Sequence, residues 1–251
     1  MRPALQVRGL RKAYRSGMRG RTSAVDALAG IDLAAGNEEI IGIAGPAGAG
    51  KSTLMLCAAG LLQPDYGSIT WFGEMLSAHR IPPGIAYVPR RAGFYSFLTV
   101  CEALEYHATL HELASSGRAA QVDAAMREAS LLAYSSRRVS QLSPALHQRL
   151  GFAQALIGEP RAVLLDETLS GEGLLSAPDV IAALRRLSRR GVAVLLSAPD
   201  ARELAGVATR TVVLSAGRII ESPSESVGVK PQLNFRWPDR AAQHVAEATV
   251  Q

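Results

Sequence analysis

The 251 residues carry 27 Lys and Arg against 22 Asp and Glu, a formal charge of +5, and are 48% apolar and 20% charged, which allows a sizeable core and excludes a disordered chain. The two cysteines, Cys57 and Cys101, lie far apart without metal-ligand spacing, which argues against a disulfide framework and predicts reduced thiols in a cytosolic chain. With no run near the roughly 20 apolar residues that span a bilayer, and no signal-peptide core at the N-terminus, any membrane role is expected to be peripheral.

The first segment is basic, with Arg2, Arg8, Arg11, Lys12, Arg15, Arg19 and Arg21 against Asp26 alone. Such charge suits nucleic acid or an anionic membrane surface. No basic stripe interleaved with stacking aromatics accompanies it, so a solvated face is expected and no nucleic-acid partner. Leu5 to Leu10 and Ile31 to Ala34 read as short strands separated by a polar loop, Arg15 to Ala24, and Glu39 to Ala44 as a buried strand.

Directly after that strand comes Gly45-Pro46-Ala47-Gly48-Ala49-Gly50-Lys51-Ser52-Thr53. The spacing is that of a phosphate-binding loop. Its backbone N–H groups form a concavity at a helix N-terminus, Lys51 reaches the terminal phosphates, and the Ser52 hydroxyl suits Mg²⁺. The helix is expected over Thr53 to Leu62, followed by a turn at Gln63 to Gly67 and strands at Ser68 to Phe72 and Gly84 to Val88.

From Thr99 to about Tyr134 the apolar period turns helical, which predicts an inserted helical subdomain over about 90–154 that also takes in a helix from Ser143 to Ile157. Arg161 to Leu165 and Val192 to Ser197 read as buried strands, Ala177 to Arg190 as a helix, and Thr211 to Leu214 with Arg218 to Glu221 as a hairpin around Gly217. Alternating strands and helices predict an α/β fold with a mainly parallel, covered sheet. Residues 1–222 are expected to form one domain and 223–251 a polar tail with a short helix near Ala241 to Ala248.

Ala162 to Leu165 ends in Asp166-Glu167. In a parallel sheet that end lies near the phosphate loop, where Asp166 would hold Mg²⁺, directly or through water, opposite Ser52, and Glu167 would polarise an attacking water. His107 and His111, one helical turn apart with Cys101 and Glu112 nearby, suggest a metal site but lack the His-Glu-x-x-His order, so a solvated helix face is expected.

On these motifs, together with Tyr14, Tyr87-Val88-Pro89, Phe94 to Leu113, Gln141-Leu142-Ser143, Gln148-Arg149 and Ser215 to Ile220, the chain resembles the ATP-binding subunits of ABC transporters over about Leu5 to Glu221, most closely those of exporters. The resemblance implies a P-loop NTPase core with an N-terminal antiparallel β subdomain. It implies ATP and Mg²⁺ as cofactors, transmembrane permease subunits as partners, and a cytoplasmic, peripheral place on the inner face of the cell membrane. Tyr14 takes the place of the aromatic that stacks on adenine, with a half-buried strand aromatic as the alternative use.

Four departures stand out. The family's glutamine after Tyr-Val-Pro is Arg90, which can neither accept from water nor ligate Mg²⁺ and is expected either to pair with phosphate oxygens or to be a plain surface arginine. The LSGGQ signature becomes Leu142-Ser143-Pro144-Ala145-Leu146, where Pro144 adds bulk and lacks an N–H, although Ser-Pro is also an ordinary helix start. The Pro-Thr and Gly-Leu-Asp elements expected after Glu167 are replaced by Thr168 to Gly173, and the expected histidine after the last buried strand is Pro199. Nucleotide-binding elements persist while elements that complete hydrolysis or reach across a dimer are altered. The expectation is ATP binding with weak hydrolysis, in a homodimer or, favoured, a heterodimer with another ABC ATPase subunit. The alternative is a non-catalytic regulatory or assembly subunit.

Overall fold

The computed structural model describes residues 3–18, 21–77, 82–111, 115–167 and 178–221. The first of two sheets is antiparallel and contains β1 (Leu5–Met18), β2 (Arg21–Ala35), β4 (Tyr66–Trp71) and β5 (Glu74–Met75), in the order β2-β1-β4-β5. Leu5, Val7, Leu10, Leu28, Ile31 and Leu33 bury one face of it while Arg8 and Arg11 stay exposed, the alternation of a sheet covered on one side.

The segment expected as a loop, Arg15 to Ala24, instead extends both strands. The β1–β2 ladder continues through Arg15↔Ala24 and Ser16↔Ser23 to Met18↔Arg21. Polar side chains suggest a loop only when the backbone has no partner, and here each strand satisfies the other's N–H and C=O groups past the edge of the core.

The second sheet contains β3 (Ile40–Ala44), β6 (Ile85–Val88), β7 (Ala162–Asp166), β8 (Ala193–Ala198), β9 (Arg210–Ser215) and β10 (Arg218–Glu221), ordered β10-β9-β3-β8-β7-β6. All neighbours pair in parallel except β10 with β9. β3, β7 and β8 are buried along their whole lengths, as a sheet covered on both faces requires. Period two divides their side chains between two cores. Ile41, Ile43, Leu164 and Leu195 join Leu54, Met55 and Trp71 toward the antiparallel sheet, whereas Val163, Leu165, Val194 and Leu196 join Leu104, Leu150, Phe152 and Leu184 under the helices.

Between β3 and β4 lies α1 (Lys51–Ala58), two residues earlier than expected because Gly50, at φ +104°, opens it. Trp71 ties it to the antiparallel sheet by donating its indole N–H to Ala58 O at 2.7 Å. The helical stretch after Thr99 is two helices, α2 (Val100–Leu110) and α3 (Ser115–Glu128), with 3₁₀ turns at Leu132–Tyr134 and Val139–Gln141. Thr99 and Glu102 start α2 with a reciprocal capping box. Then follow α4 (Pro144–Leu156), α5 (Pro178–Arg189) and α6 (Ala201–Leu204). α6 and the short β5 are too brief to show a period in sequence. Glu112, Thr168 to Gly173 and the expected helix near Ala241 to Ala248 lie outside the described residues.

Candidate functional site

The loop Gly45 to Thr53 is held by β8 and by the β9–β10 turn, which is itself tied to β2. Gly45 N–H donates to Ala198 O of β8 at 3.3 Å, Gly217 N–H of the β9–β10 turn donates to Ala49 O at 3.0 Å, and Ala29 N–H of β2 donates to Gly217 O at 2.8 Å. At Gly50 a Cβ would stand 2.2 Å from Ala27 O, so this residue is glycine for space as well as for its positive φ. α1 has neither a side-chain cap nor an acid in its first turn. Its N-terminal amides and dipole are therefore open to an anion without a competing side chain.

Lys51 is almost wholly buried. Its Nζ donates to Gly45 O at 2.6 Å and Pro46 O at 3.0 Å and pairs with Glu167 Oε1 at 2.9 Å. A buried ammonium requires such partners. Beside it opens a cleft of about 280 Å³ lined by Tyr14, Val25, residues 48–53 and Glu167 among others. Tyr14 stands across the β1–β2 ladder from Val25, is 46% exposed, and lies with its hydroxyl 3.4 Å from Thr53 Oγ1. It is a half-exposed ring of β1 on the wall of the cleft, a position that suits both the adenine-stacking and the strand-aromatic use.

Asp166 ends β7 and is buried. The β7 strand is separated from β3 by β8, so the strand end lies one strand farther from the loop than an adjacent pairing would bring it. Ser197 Oγ donates to Asp166 Oδ1 at 2.7 Å and Tyr87 OH to Oδ2 at 3.0 Å. Burial, reinforced by the Asp166 carboxylate, raises the Tyr87 hydroxyl far above its ordinary pKa and keeps it a donor. Glu167 follows in the left-handed region at φ +47°, uncommon for a side chain of this kind, with its N–H donating to Ser197 Oγ at 2.9 Å. Tyr87 and Ser197 were not singled out in the sequence as orienting residues for Asp166. Tyr87 lay in the Tyr-Val-Pro stretch and Ser197 at a strand end, but only the order β8-β7-β6 reveals their shared partner.

Arg90, on the loop after β6, is 72% exposed at its side chain, with Nη1 3.4 Å from Glu167 Oε2. The Glu167 carboxylate thus lies between Lys51 and Arg90. Ser143 Oγ accepts from Leu146 N–H at 3.3 Å and Pro144 occupies the first turn of α4, so this serine serves as a helix cap. Arg149 from α4 donates to both carboxylate oxygens of Asp179, at 2.5 and 3.2 Å, and to Ala129 O. That guanidinium holds the Asp179 carboxyl down at about 2. Asp200, just past Pro199, accepts from Arg202 N–H and caps α6.

His107 is half-buried on the wall of a cleft, where Phe94 packs edge-on against both His107 and His147, with centroids 5.7 and 5.3 Å away, while His111 stays exposed. Burial lowers the pKa of His107, and the nearby His111 adds to the effect. Among the described residues no group of three or more His, Cys, Asp or Glu is placed to hold a metal ion.

A glycine-rich loop between a buried strand and a helix, faced by a buried aspartate and a following glutamate, defines a P-loop NTPase. The family pattern described as ABC transporter matches residues 28–170, more than half of the chain, and the chain belongs to that family as an ATP-binding protein. It is similar to the lipopolysaccharide export system ATP-binding protein LptB of Haemophilus influenzae, with 31% identity over 76% of this chain and 81% of that protein. It is also similar to the sulfate/thiosulfate import ATP-binding protein CysA of Mycolicibacterium paratuberculosis, with 34% identity over 79% of this chain and 56% of that protein. In fold it matches the ATP-binding cassette MJ0796, solved as a dimer bound to ADP and Pi, at a TM-score of 0.77 and 19% identity over 89% of this chain and 99% of that one. No helix among the described residues is long and apolar enough to cross a membrane.

Proposed function

We propose that this chain is the nucleotide-binding subunit of an exporter-type ABC transporter, holding MgATP firmly and cleaving it slowly. In this reading residues 1–222 are one ATP-binding domain with a helical insertion over about 90–154, and 223–251 are a tail. Gly45, Pro46, Ala47, Gly48, Ala49, Gly50, Lys51, Ser52 and Thr53 cradle the triphosphate, and the exposed ring of Tyr14 receives the adenine. The exporter reading draws on LptB, matched over most of its length, against an import protein matched over a smaller share of its own.

Ser52 and Asp166 suit Mg²⁺ because both offer hard oxygens. Tyr87 and Ser197 orient the Asp166 carboxylate and leave each oxygen a further lone pair. When bound, the ion neutralises charge on phosphate oxygens. Glu167 is the general base: as the water oxygen bonds to the γ-phosphorus and the bond to the ADP oxygen breaks, the water proton passes to the carboxylate.

The single observation that carries the slow-cleavage reading is that Glu167 is held in ion pairs with Lys51 and Arg90 beside an otherwise complete phosphate loop. Saturable MgATP binding lost in Lys51→Ala is expected. So is a turnover of the isolated chain at least about a hundredfold below an ordinary enzyme's ~10 s⁻¹. Fast turnover abolished by Glu167→Gln would refute it.

Partner subunits follow from two surfaces. Tyr95 and Phe97 are more than half exposed and flank a cleft of about 380 Å³ lined by Phe94, Leu98, Tyr106 and His107. This apolar patch is assigned to transmembrane subunits, which would place the chain peripherally on the inner membrane face. At α4 the Ser143 hydroxyl oxygen already accepts from its own helix and Pro144 has no N–H. A homodimer would carry that weak surface twice, so a heterodimer with another ABC ATPase is favoured. The same residues support a second reading, an assembly subunit whose partner alone hydrolyses ATP, distinguished by whether the complex keeps its turnover with Glu167→Gln in this chain.

A further inference from the structure

Glu167 faces two cations that differ in what else they touch. Lys51 lies among protein acceptors, with Gly45 O, Pro46 O and Glu167 Oε1 all within 3.0 Å. A triphosphate in the loop competes for that ammonium, and to supply it Lys51 must loosen its hold on Glu167. The carboxylate, 15% exposed, would then be a poorly solvated charge losing its nearer partner, which is costly unless another cation remains. Arg90 is that cation. Its guanidinium approaches the other oxygen, Oε2, from the solvent side, so it does not depend on Lys51 to hold its place. It has five donors and no acceptor.

We propose that Arg90 is a positioning residue for Glu167 with two opposite effects on the reaction: it eases the transfer of Lys51 to the phosphates, and it then keeps Glu167 in an ion pair that competes with proton acceptance from water. Binding is strengthened and cleavage slowed by one side chain. This rests on the ATPase reading above and deepens it, since it makes part of the slow turnover the property of one removable contact. Because Arg90 is largely exposed, the contact is screened by salt.

The test is Arg90→Gln in the full chain, read for kcat at saturating MgATP and for the Kd of Mg-ATPγS. The expected result is a split: kcat rises about tenfold while ATPγS binding weakens about threefold. In a Glu167→Gln background, Arg90→Gln should leave the Kd within about twofold, because the partner through which it acts is gone. Arg90→Lys, which keeps a charge, should return both values toward those of the unsubstituted chain. Raising salt at saturating ATP should speed the unsubstituted chain and leave Arg90→Gln less affected.

Damage to the loop would lower kcat while raising Kd, and that outcome overturns the inference. An unchanged or reduced kcat in Arg90→Gln also overturns it, as does an equal shift of Kd in both backgrounds. Undiminished ATPγS binding in Lys51→Ala would overturn the ATPase reading and this inference together. ATPγS binding that requires Lys51, combined with an unresponsive Arg90→Gln, would reject the inference alone.

Discussion

The starts of α1 and α4 are both helix N-termini on short loops, and they dispose of their amides in opposite ways. At α1 a left-handed Gly50 stands in the cap position, no side chain bonds the first turn, and no acid lies in it. At α4 Ser143 accepts from Leu146 N–H and Pro144 removes a donor. One end is an open anion site and the other a closed cap. The difference lies in a few residues, so a helix dipole alone does not make a phosphate site. The cap residue decides whether its amides remain available.

The largest effect should come from closing the open end. Gly50→Ala drives a Cβ into Ala27 O and strains a positive φ, which should cost at least about 3 kcal/mol in urea unfolding and abolish MgATP binding. Gly48→Ala is the control on the same loop. Its φ is +77° but a Cβ there meets nothing within 4 Å, so the cost should be about 1 kcal/mol.

Opening the closed end comes next. Ser143→Gly with Pro144→Gly should lower stability by about 1 kcal/mol in thermal unfolding through the lost cap and the looser unfolded chain. It should raise steady-state ATP turnover of the chain at concentrations where it dimerises. A fall in stability with no gain in turnover would mean that the α4 surface does not meet nucleotide.

A third prediction concerns the clamp that holds α4 to α5. The hydrogen bonds from Arg149 depress the Asp179 carboxyl to about 2, below its ordinary value of 3.8. The stability this contributes is fully present above about pH 4 and is lost as pH falls toward 2. Asp179→Asn should flatten the decline of stability across that window in urea titrations at successive pH values, without altering ATP affinity. The smallest effect belongs to Tyr14, proposed above as the wall for adenine. Tyr14→Phe should leave ATP affinity nearly unchanged, because the hydroxyl contact with Thr53 is long at 3.4 Å. Tyr14→Ala should weaken affinity by about 1 kcal/mol in equilibrium titration.

Legibility in the sequence followed the range of the contacts. The phosphate loop, the buried strands Ile40–Ala44, Ala162–Asp166 and Ala193–Ala198, and the Ser143-Pro144 helix start were all readable, because each rests on local spacing or an unbroken apolar run. The extension of β1 and β2 through Arg15 and Ala24 was not, since nothing in polar residues shows that their backbones are paired. Nor was the environment of the two carboxylates. Tyr87, Ser197 and Arg90 come from three separate segments, and only the strand order brings them to Asp166 and Glu167. The contact of His107 with Phe94 was hidden for the same reason: the helix face is largely exposed as its spacing suggested, but the ring that packs against His107 comes from a preceding loop.

The most direct test of a chain that holds ATP and cleaves it slowly is the identity of the nucleotide it retains. The isolated chain is mixed with radiolabelled MgATP, freed of excess by rapid filtration, and its bound label is quenched and separated within about two seconds. Mostly intact ATP, absent from Lys51→Ala, is the predicted result. Label found chiefly as ADP and phosphate within seconds, or no label retained at all, would contradict it.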